Sequence, residues 1–467
     1  MIYHNLYAQC GKASTSVALI GVGHFGATVL AQSLHCKRLI VAAIADKSLD
    51  AIRAAAEKAE LDQARIAECA TVAECLAAIE AGKLIAATNP LLLMELPIDT
   101  IVEGTGNPEA GAVHALAAIK CGKNIVMVNK ETDSCVGPIL RKLADEKGVV
   151  CTPVDGDQHG VLMQMVEWAR DCGMEVISAG KSRDAEFIYD RKAKTVTVFS
   201  DGGITIDETI SISLSDDECA LMETLPKGDR SAALAKRKEI LARLDPRGGF
   251  DLCEMVIAAN ATGLRPDVDL MHDAVLRTPE IPAALCAKKD GGILGDNGII
   301  EVVTNLHETG EAGLGGGVFL VVSCANGYSQ MILNTKGCIS NDTGSCALIY
   351  RPYHLCGVEA PSTLLTAGLL GIATGSREYR QSYDIVQEAK TDLKAGDVMG
   401  NDHDPRLLTR MVPASPIAAG GPVPAHLLNG RALLRDVPAG TVITYGMIEN
   451  PGDDSTLWSL RKMQDTM

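Results

Sequence analysis

Short, wholly apolar runs alternate with stretches of helical period along the first third of the chain. Residues 16–21 (SVALIG) form a buried-strand pattern closed by glycine, and an alanine-rich helical stretch follows over 27–34. A second apolar run, 39–45, ends at Asp46. Helical patterns over 48–58 and 72–81 then alternate with further apolar runs, among them 100–106 and 124–129. This alternation predicts a parallel, doubly wound Rossmann sheet over residues 1–150, preceded by about 15 loose residues.

Residues 149–154 read as one more strand, delivering Asp155, Asp157 and Gln158 at its carboxyl end. Beyond it the pattern is mixed: 175–180 and 317–323 are strand-like, and 252–261 is helical. An α+β substrate domain over 151–380 is the expectation, with 192–217 as a loop or short hairpin. The tail, 381–467, carries an internal echo, 391–397 (TDLKAGD) against 435–441 (RDVPAGT), each copy a strand followed by a glycine turn. Pro413, Pro416, Pro422 and Pro424 exclude a long helix between them, so a small β-rich module is predicted.

Composition narrows the function classes. A net charge of −16 opposes binding to nucleic acid or anionic membranes, and 3% aromatic residues leave little for base stacking. An anionic substrate then needs a local basic pocket. No apolar run is long enough to span a bilayer, and the first residues lack the features of a signal peptide, which points to the cytoplasm. The 15 cysteines are scattered without a Cys-x-x-Cys pair, as expected for small buried residues kept reduced.

Gly21-Val22-Gly23-His24-Phe25-Gly26 is a G-x-G-x-x-G element between a predicted strand and a predicted helix. Gly21 permits the tight turn, Gly23 lets the backbone approach a pyrophosphate, and Gly26 lets the helix pack on the strand. The helix N-terminus offers unpaired N–H groups and partial positive charge to the phosphates. Asp46, twenty residues after Gly26, suits a ribose 2′-hydroxyl and repels a 2′-phosphate, which favours NAD over NADP; the other reading is a turn-initiating aspartate. Thr105 and Gly106 end one parallel strand and Asn129 and Lys130 another, where such sheets bind ligands. Lys130 faces either the nicotinamide end or water.

Oxidising an alcohol requires a group that takes the hydroxyl proton as hydride leaves. Candidates gather at Asp155, Asp157 and Gln158 and at Lys181. The two aspartates are positioned to ligate a divalent cation, to hold a catalytic lysine, or merely to make a solvated turn. A buried Lys181 near the nicotinamide is a general acid–base candidate. Arg351 suits a phosphate or carboxylate, and His354 suits proton transfer or a structural role. Glu254, in the helical run, is either a surface charge or part of a half-buried turn.

Gly21 to Gly26, Gly104-Thr105-Gly106, Asn129-Lys130 and Gly156-Asp157-Gln158 resemble the homoserine dehydrogenase superfamily. Stretches around Lys181, Asn260, Lys289, Arg351 and the closing Leu460 to Asp465 resemble its SAF-domain branch, which includes 1-deoxy-D-xylulose 5-phosphate reductoisomerase-like enzymes. The resemblance implies an NAD(P)-binding domain, a central substrate and dimerisation domain, a β-clip SAF domain over 381–467, and a homodimer or homotetramer. It strengthens the functional reading of Lys181, Asp157, Arg351 and His354; with the residue chemistry above, catalysis is expected at Lys181, Asp157, Lys130 and Asp155 and substrate binding at Arg351, His354, Glu254 and Asn260. The chain departs from that branch at Asp46, at Lys130 and at Gly248-Gly249-Phe250. The expected function is an NAD(P)-dependent oxidoreductase of a small anionic hydroxy or keto compound, with reductoisomerase-like activity first. An NAD-dependent polyol-phosphate or hydroxy-acid dehydrogenase stands second, and a dinucleotide-binding sensor without turnover third.

Overall fold

The computed structural model describes residues 2–200, 206, 208–244, 250–376, 378–401, 403–452 and 454–467. Gly248 and Gly249, noted above as a departure, lie outside them. The chain divides into two compact units: one built from 1–160, 355–406 and 414–467, the other from 161–354 and 407–413.

The first unit opens with α1 (Ile2–Gln9), where the sequence reading expects loose chain. The helix is short and has no clear hydrophobic period, and it is anchored by Tyr7, whose hydroxyl lies 3.0 Å from Thr366 Oγ1. There follow β1 (Thr15–Ile20), α2 (His24–Ser33), β2 (Leu39–Ala45), α3 (Leu49–Lys58), β3 (Ile66–Glu68), α4 (Val72–Glu80), β4 (Leu84–Ala87), β5 (Thr100–Glu103), α5 (Pro108–Lys120), β6 (Asn124–Met127), α6 (Lys130–Lys147) and β7 (Cys151–Pro153). The seven strands form one sheet in the order β3-β4-β2-β1-β5-β6-β7, every pair parallel. Strands such as β4 and β5 are buried at every position, which explains their unbroken apolar runs. β7 is the seventh strand of this sheet rather than the start of the next domain. It is only three residues long, and its pairing with β6 decides its membership. The strand order reverses between β1 and β5, so their carboxyl ends border the crevice where such sheets take ligands.

The second unit begins within α7 (Gln158–Asp171). It contains β8 (Met174–Ser182), β9 (Phe187–Asp190), β10 (Thr195–Val198), β11 (Ile210–Ser213), α8 (Asp216–Glu223), α9 (Arg230–Leu241), α10 (Phe250–Thr262), β12 (Arg265–Pro266), β13 (Ala274–Leu276), α11 (Ile281–Ala284), β14 (Ile299–Glu308), β15 (Val318–Cys324), α12 (Gly327–Thr335), β16 (Ile339–Ser340) and β17 (Ala347–Arg351). Its mixed sheet runs β11-β10-β9-β14-β8-β15-β17-β16, with β12 and β13 also on β14. The stretch 192–217 supplies two antiparallel strands, β10 and β11; residues 201–205 and 207, between them, lie outside the described residues.

The C-terminal part contributes α13 (Ala360–Leu365), β18 (Tyr383–Ala389), β19 (Leu407–Pro413), α14 (Ala425–Leu428) and α15 (Thr456–Gln464). The sequence echo is a real pseudo-twofold. Leu393 and Val437, equivalent positions, exchange reciprocal backbone bonds of 2.8 and 3.0 Å. Asp436 Oδ1 accepts from Ala395 N, and Asp392 Oδ1 accepts from Ala439 N. Gly396 N reaches Leu433 O as Gly440 N reaches Ala389 O. The module also holds a helix that the β-rich expectation lacked. α15 begins under the Glu109 carboxylate, which accepts from Thr456 N at 2.6 Å, and its Arg461 forms two 2.7 Å bonds to buried Asp384. Gln464 inserts its amide into α6: Oε1 accepts from Ile139 N at 3.0 Å and Nε2 donates to Cys135 O at 2.9 Å. Those two groups would pair with each other in an unbroken helix, which Pro138 opens at this point.

Among the described residues no helix is long and apolar enough to cross a membrane. All 15 cysteines are free; eight are buried, whereas Cys121 and Cys172 are exposed, so burial is not their common character.

Candidate functional site

Each predicted glycine of the first turn has a distinct steric reason. Gly21 adopts φ +88°, and a Cβ on it would lie 2.6 Å from Gly104 O, across the gap between β1 and β5. A Cβ on Gly26 would lie 2.2 Å from Gly21 O. Around Gly23, the residue before α2, a Cβ would meet nothing within 4 Å. The first and third glycines are thus demanded by packing, while the second faces open space, as backbone approach by a diphosphate requires. His24 is exposed at the first position of α2, and Phe25 packs on the core beneath.

Asp46 stands beside this turn. Its Oδ2 accepts from Val22 N at 3.0 Å and its Oδ1 from Ser48 N at 3.3 Å. The carboxylate therefore braces the glycine loop and also begins a turn.

At the ends of β5 and β6 a polar chain links residues that the motifs suggest to others that they do not. Buried Glu103 accepts from Thr105 Oγ1 at 2.6 Å and lies 3.1 Å from His114 Nδ1. Asn129, buried at the start of α6, donates to Thr105 Oγ1 at 3.2 Å and to Asn107 O at 2.9 Å. Gly106 takes φ +64° beside them. Glu103 and His114 are the members that sequence reasoning missed; the signal was a carboxylate ending an apolar strand.

Asp155 and Asp157 are buried, which removes the solvated-turn reading. Asp155 is hydrogen-bonded by Ser362 Oγ, and its amide donates to Thr363 Oγ1 at 2.8 Å. Asp157 Oδ1 accepts from Gln158 N at 2.8 Å, its Oδ2 lies 3.9 Å from Lys130 Nζ, and His159 Nδ1 is 3.8 Å from Oδ1. Lys130 thus turns toward a carboxylate rather than to water. Among the described residues no group of three or more His, Cys, Asp or Glu is arranged to hold a metal ion.

In the second unit Lys181, on β8, is 1% exposed and ion-paired with Glu254 of α10, itself 2% exposed, so Glu254 is no surface charge. Asn260, on the same helix, is buried as well. Lys181 lies opposite Val318 of β15, and Val318 lies opposite Arg351 of β17. Directly opposed residues of antiparallel strands share a face, so Lys181 and Arg351 stand in one row, about 10 Å apart at the backbone. The Arg351 guanidinium lies 4.6 Å from the centre of the Tyr353 ring. His354 Nδ1 is 2.7 Å from Gly316 O. The structure therefore brings Lys181, Glu254 and Arg351 together in one unit, and Asp157, Lys130 and Asp155 in the other.

Two further buried carboxyls shape their surroundings. Burial pushes Asp133 of α6 up to about 7 against the opposing hydrogen bond from Tyr379, and its Oδ2 has no hydrogen-bond partner. Burial likewise pushes Glu301, on β14, up to about 8 despite amide bonds from His272 and Val302.

Residues 247–360 match the family model described as the catalytic domain of the oxidoreductase DRL. In sequence the chain is similar to the 1-deoxy-D-xylulose 5-phosphate reductoisomerase of Thermosynechococcus vestitus, 38% identical over 79 residues, 16% of this chain and 19% of that protein. It is also similar to the enzyme of the same name from Leptospira biflexa, 35% identical over 75 residues, again 16% and 19% of the two chains. The chain spans about a fifth of the length of these relatives. Among solved structures, the Zymomonas mobilis reductoisomerase in complex with NADPH aligns at 20% identity over 37% of this chain and 46% of that one, with a TM-score of 0.27. The residues matched by that family model include Glu254, Asn260, Arg351 and His354.

Proposed function

We propose that this protein is an NAD(P)-dependent oxidoreductase acting on a small, anionic hydroxy or keto compound. The observation that carries the reading is the glycine turn at the β1–β5 crevice: packing demands Gly21 and Gly26, and Gly23 is open to a diphosphate. The cradle fits a dinucleotide, with the α2 N-terminus toward the phosphates and Asp46 toward the adenosine ribose, which favours NAD over NADP. A bound nicotinamide supplies or accepts hydride. Lys181, with its ammonium held by Glu254, polarises the reacting oxygen, and Arg351 binds the anionic end of the substrate in the same row.

Reductoisomerase-like chemistry on 1-deoxy-D-xylulose 5-phosphate is the first activity to assay; the resemblance to reductoisomerases supports it. A plain NAD-dependent polyol-phosphate or hydroxy-acid dehydrogenase is the second reading. It is favoured by the bond between Asp155 and Ser362, which engages one of the two aspartates that an isomerisation step would use. The 391–441 pseudo-twofold supports a β-clip of SAF type in the tail, and a homodimer or homotetramer is the expected assembly.

The test is calorimetric titration with each pyridine nucleotide, followed by absorbance at 340 nm across sugar phosphates and hydroxy acids, with and without magnesium. Micromolar uptake and substrate-dependent absorbance change are expected. No uptake of either nucleotide overturns the assignment, and uptake without turnover on any substrate makes the protein a sensor.

A further inference from the structure

Resting on the oxidoreductase reading, we propose that His354 is the proton-transferring residue of the second unit, acting through Nε2, and that Gly316 and Asp184 hold it in that state. The ring nitrogen Nδ1 faces the Gly316 carbonyl at 2.7 Å. A carbonyl only accepts, so Nδ1 carries the proton and a neutral ring presents its lone pair at Nε2. Asp184 Oδ1 lies 3.9 Å from the same Nδ1, on the proton-bearing side of the ring. The side chain is 17% exposed, and among the described residues Nε2 meets no hydrogen-bond partner.

The contact exists only because residue 316 is glycine. Its φ is +68°, and a Cβ would lie 2.6 Å from Asp184 Oδ1 and 2.7 Å from His354 Nδ1. The carbonyl is in turn suspended from the strand that carries Lys181. Gly316 N donates to Arg183 O at 3.0 Å, and Ser182 N donates to Gly317 O at 2.8 Å. His354 therefore sits at the Lys181 end of β8, three residues past Arg351. The charged groups around it are Asp184, Arg351 over Tyr353, and Arg183, which is paired with Asp273 at 3.1 Å.

The step balances simply. In the reducing direction the carbonyl carbon gains the hydride that reduced nicotinamide supplies, and the oxygen gains the proton of the imidazolium Nε2–H. The C=O π bond gives way to new C–H and O–H bonds, and the ring is left neutral with its proton on Nδ1. Water then returns a proton to Nε2; oxidation runs the same transfer backwards.

The experiment uses the full chain with ¹⁵N-labelled histidine. Wild type should show His354 as the Nδ1–H tautomer, and Gly316→Ala should abolish the tautomer bias. A ring protonated on Nε2 in the neutral form overturns the proposal. His354→Asn keeps an N–H near the Nδ1 position and removes Nε2. Its kcat should fall about 10²- to 10⁴-fold, with loss of one ionisation from the kcat pH profile and dinucleotide Kd within twofold of wild type. Unchanged kcat in that variant overturns this proposal alone, whereas failure of the wild type to bind dinucleotide overturns the oxidoreductase reading beneath it.

Discussion

At the glycine turn of the first unit the chemistry depends on atoms that are missing, and in the β8–β15–β17 row of the second it depends on charges that are present and buried. Gly21, Gly23 and Gly26 act through backbone alone, within six consecutive residues, and leave the sheet beneath them ordinary. Lys181 and Glu254 are 73 residues apart, and their ion pair offsets part of the desolvation of each in that interior. Binding by backbone asks for space; reactivity asks for a charge whose desolvation is compensated. Damage to the turn should therefore appear as lost affinity, and damage to the row as lost stability and turnover together.

The largest expected effect tests the row. Lys181→Met removes the buried ion-pair partner of Glu254 and should cost roughly 3–5 kcal/mol in a denaturant titration, with turnover reduced about 10³-fold and dinucleotide affinity unchanged. Adding Glu254→Leu should restore stability without restoring turnover. If both return, the pair is only structural.

The turn is probed next by two alanines that steric arguments separate. Gly26→Ala should weaken both the fold and dinucleotide binding, since its Cβ would press on Gly21 O. Gly23→Ala should leave thermal stability within about 1 kcal/mol of wild type, while dinucleotide Kd rises at least tenfold by calorimetry. Equal stability losses in the two variants would contradict the division between packing and ligand glycines. A smaller change is expected at the brace: Asp46→Ser with Lys47→Arg should shift the NAD-to-NADP preference by about tenfold toward NADP. A wild type that already prefers NADP would count against the ribose role.

A pH-dependent comparison takes one buried acid from each unit. Asp133 and Glu301 have pKa values raised in the folded state to about 7 and about 8, so the native protein holds their protons where the unfolded chain releases them. Their contribution to stability is complete below the unfolded carboxylate range and is lost as pH rises through about 7 and about 8. Each gives a decline of up to about 1.4 kcal/mol per pH unit. Asp133→Asn and Glu301→Gln should each flatten that decline in urea titrations between pH 5 and 8. An unaltered slope would mean that the carboxyl is charged in the folded state.

Legibility follows the same division. The turn could be read because local backbone geometry writes itself into glycine spacing, and the parallel strands because burial on both faces leaves continuous apolar runs. β3 and α1 escaped specific prediction, being short and without a clear period. The Lys181–Glu254 pair, the Glu103–His114 contact and the Gly316–His354 bond were invisible as pairs, since each joins residues that only the folded sheet or its flanking helices bring together. Val318 aligns Lys181 with Arg351, and no local pattern announces a strand register.

The opening of α6 at Pro138 carries a consequence for how the molecule comes into being. Cys135 and Ile139 are made early in synthesis, but the side chain that satisfies them, Gln464, belongs to the last helix described. On a ribosome the seven-stranded sheet emerges first, and one of its flanking helices stays interrupted until residue 464 has been made. Birth order and completion order are reversed, and chains cut short before residue 464 would lack the amide that satisfies Ile139 N and Cys135 O.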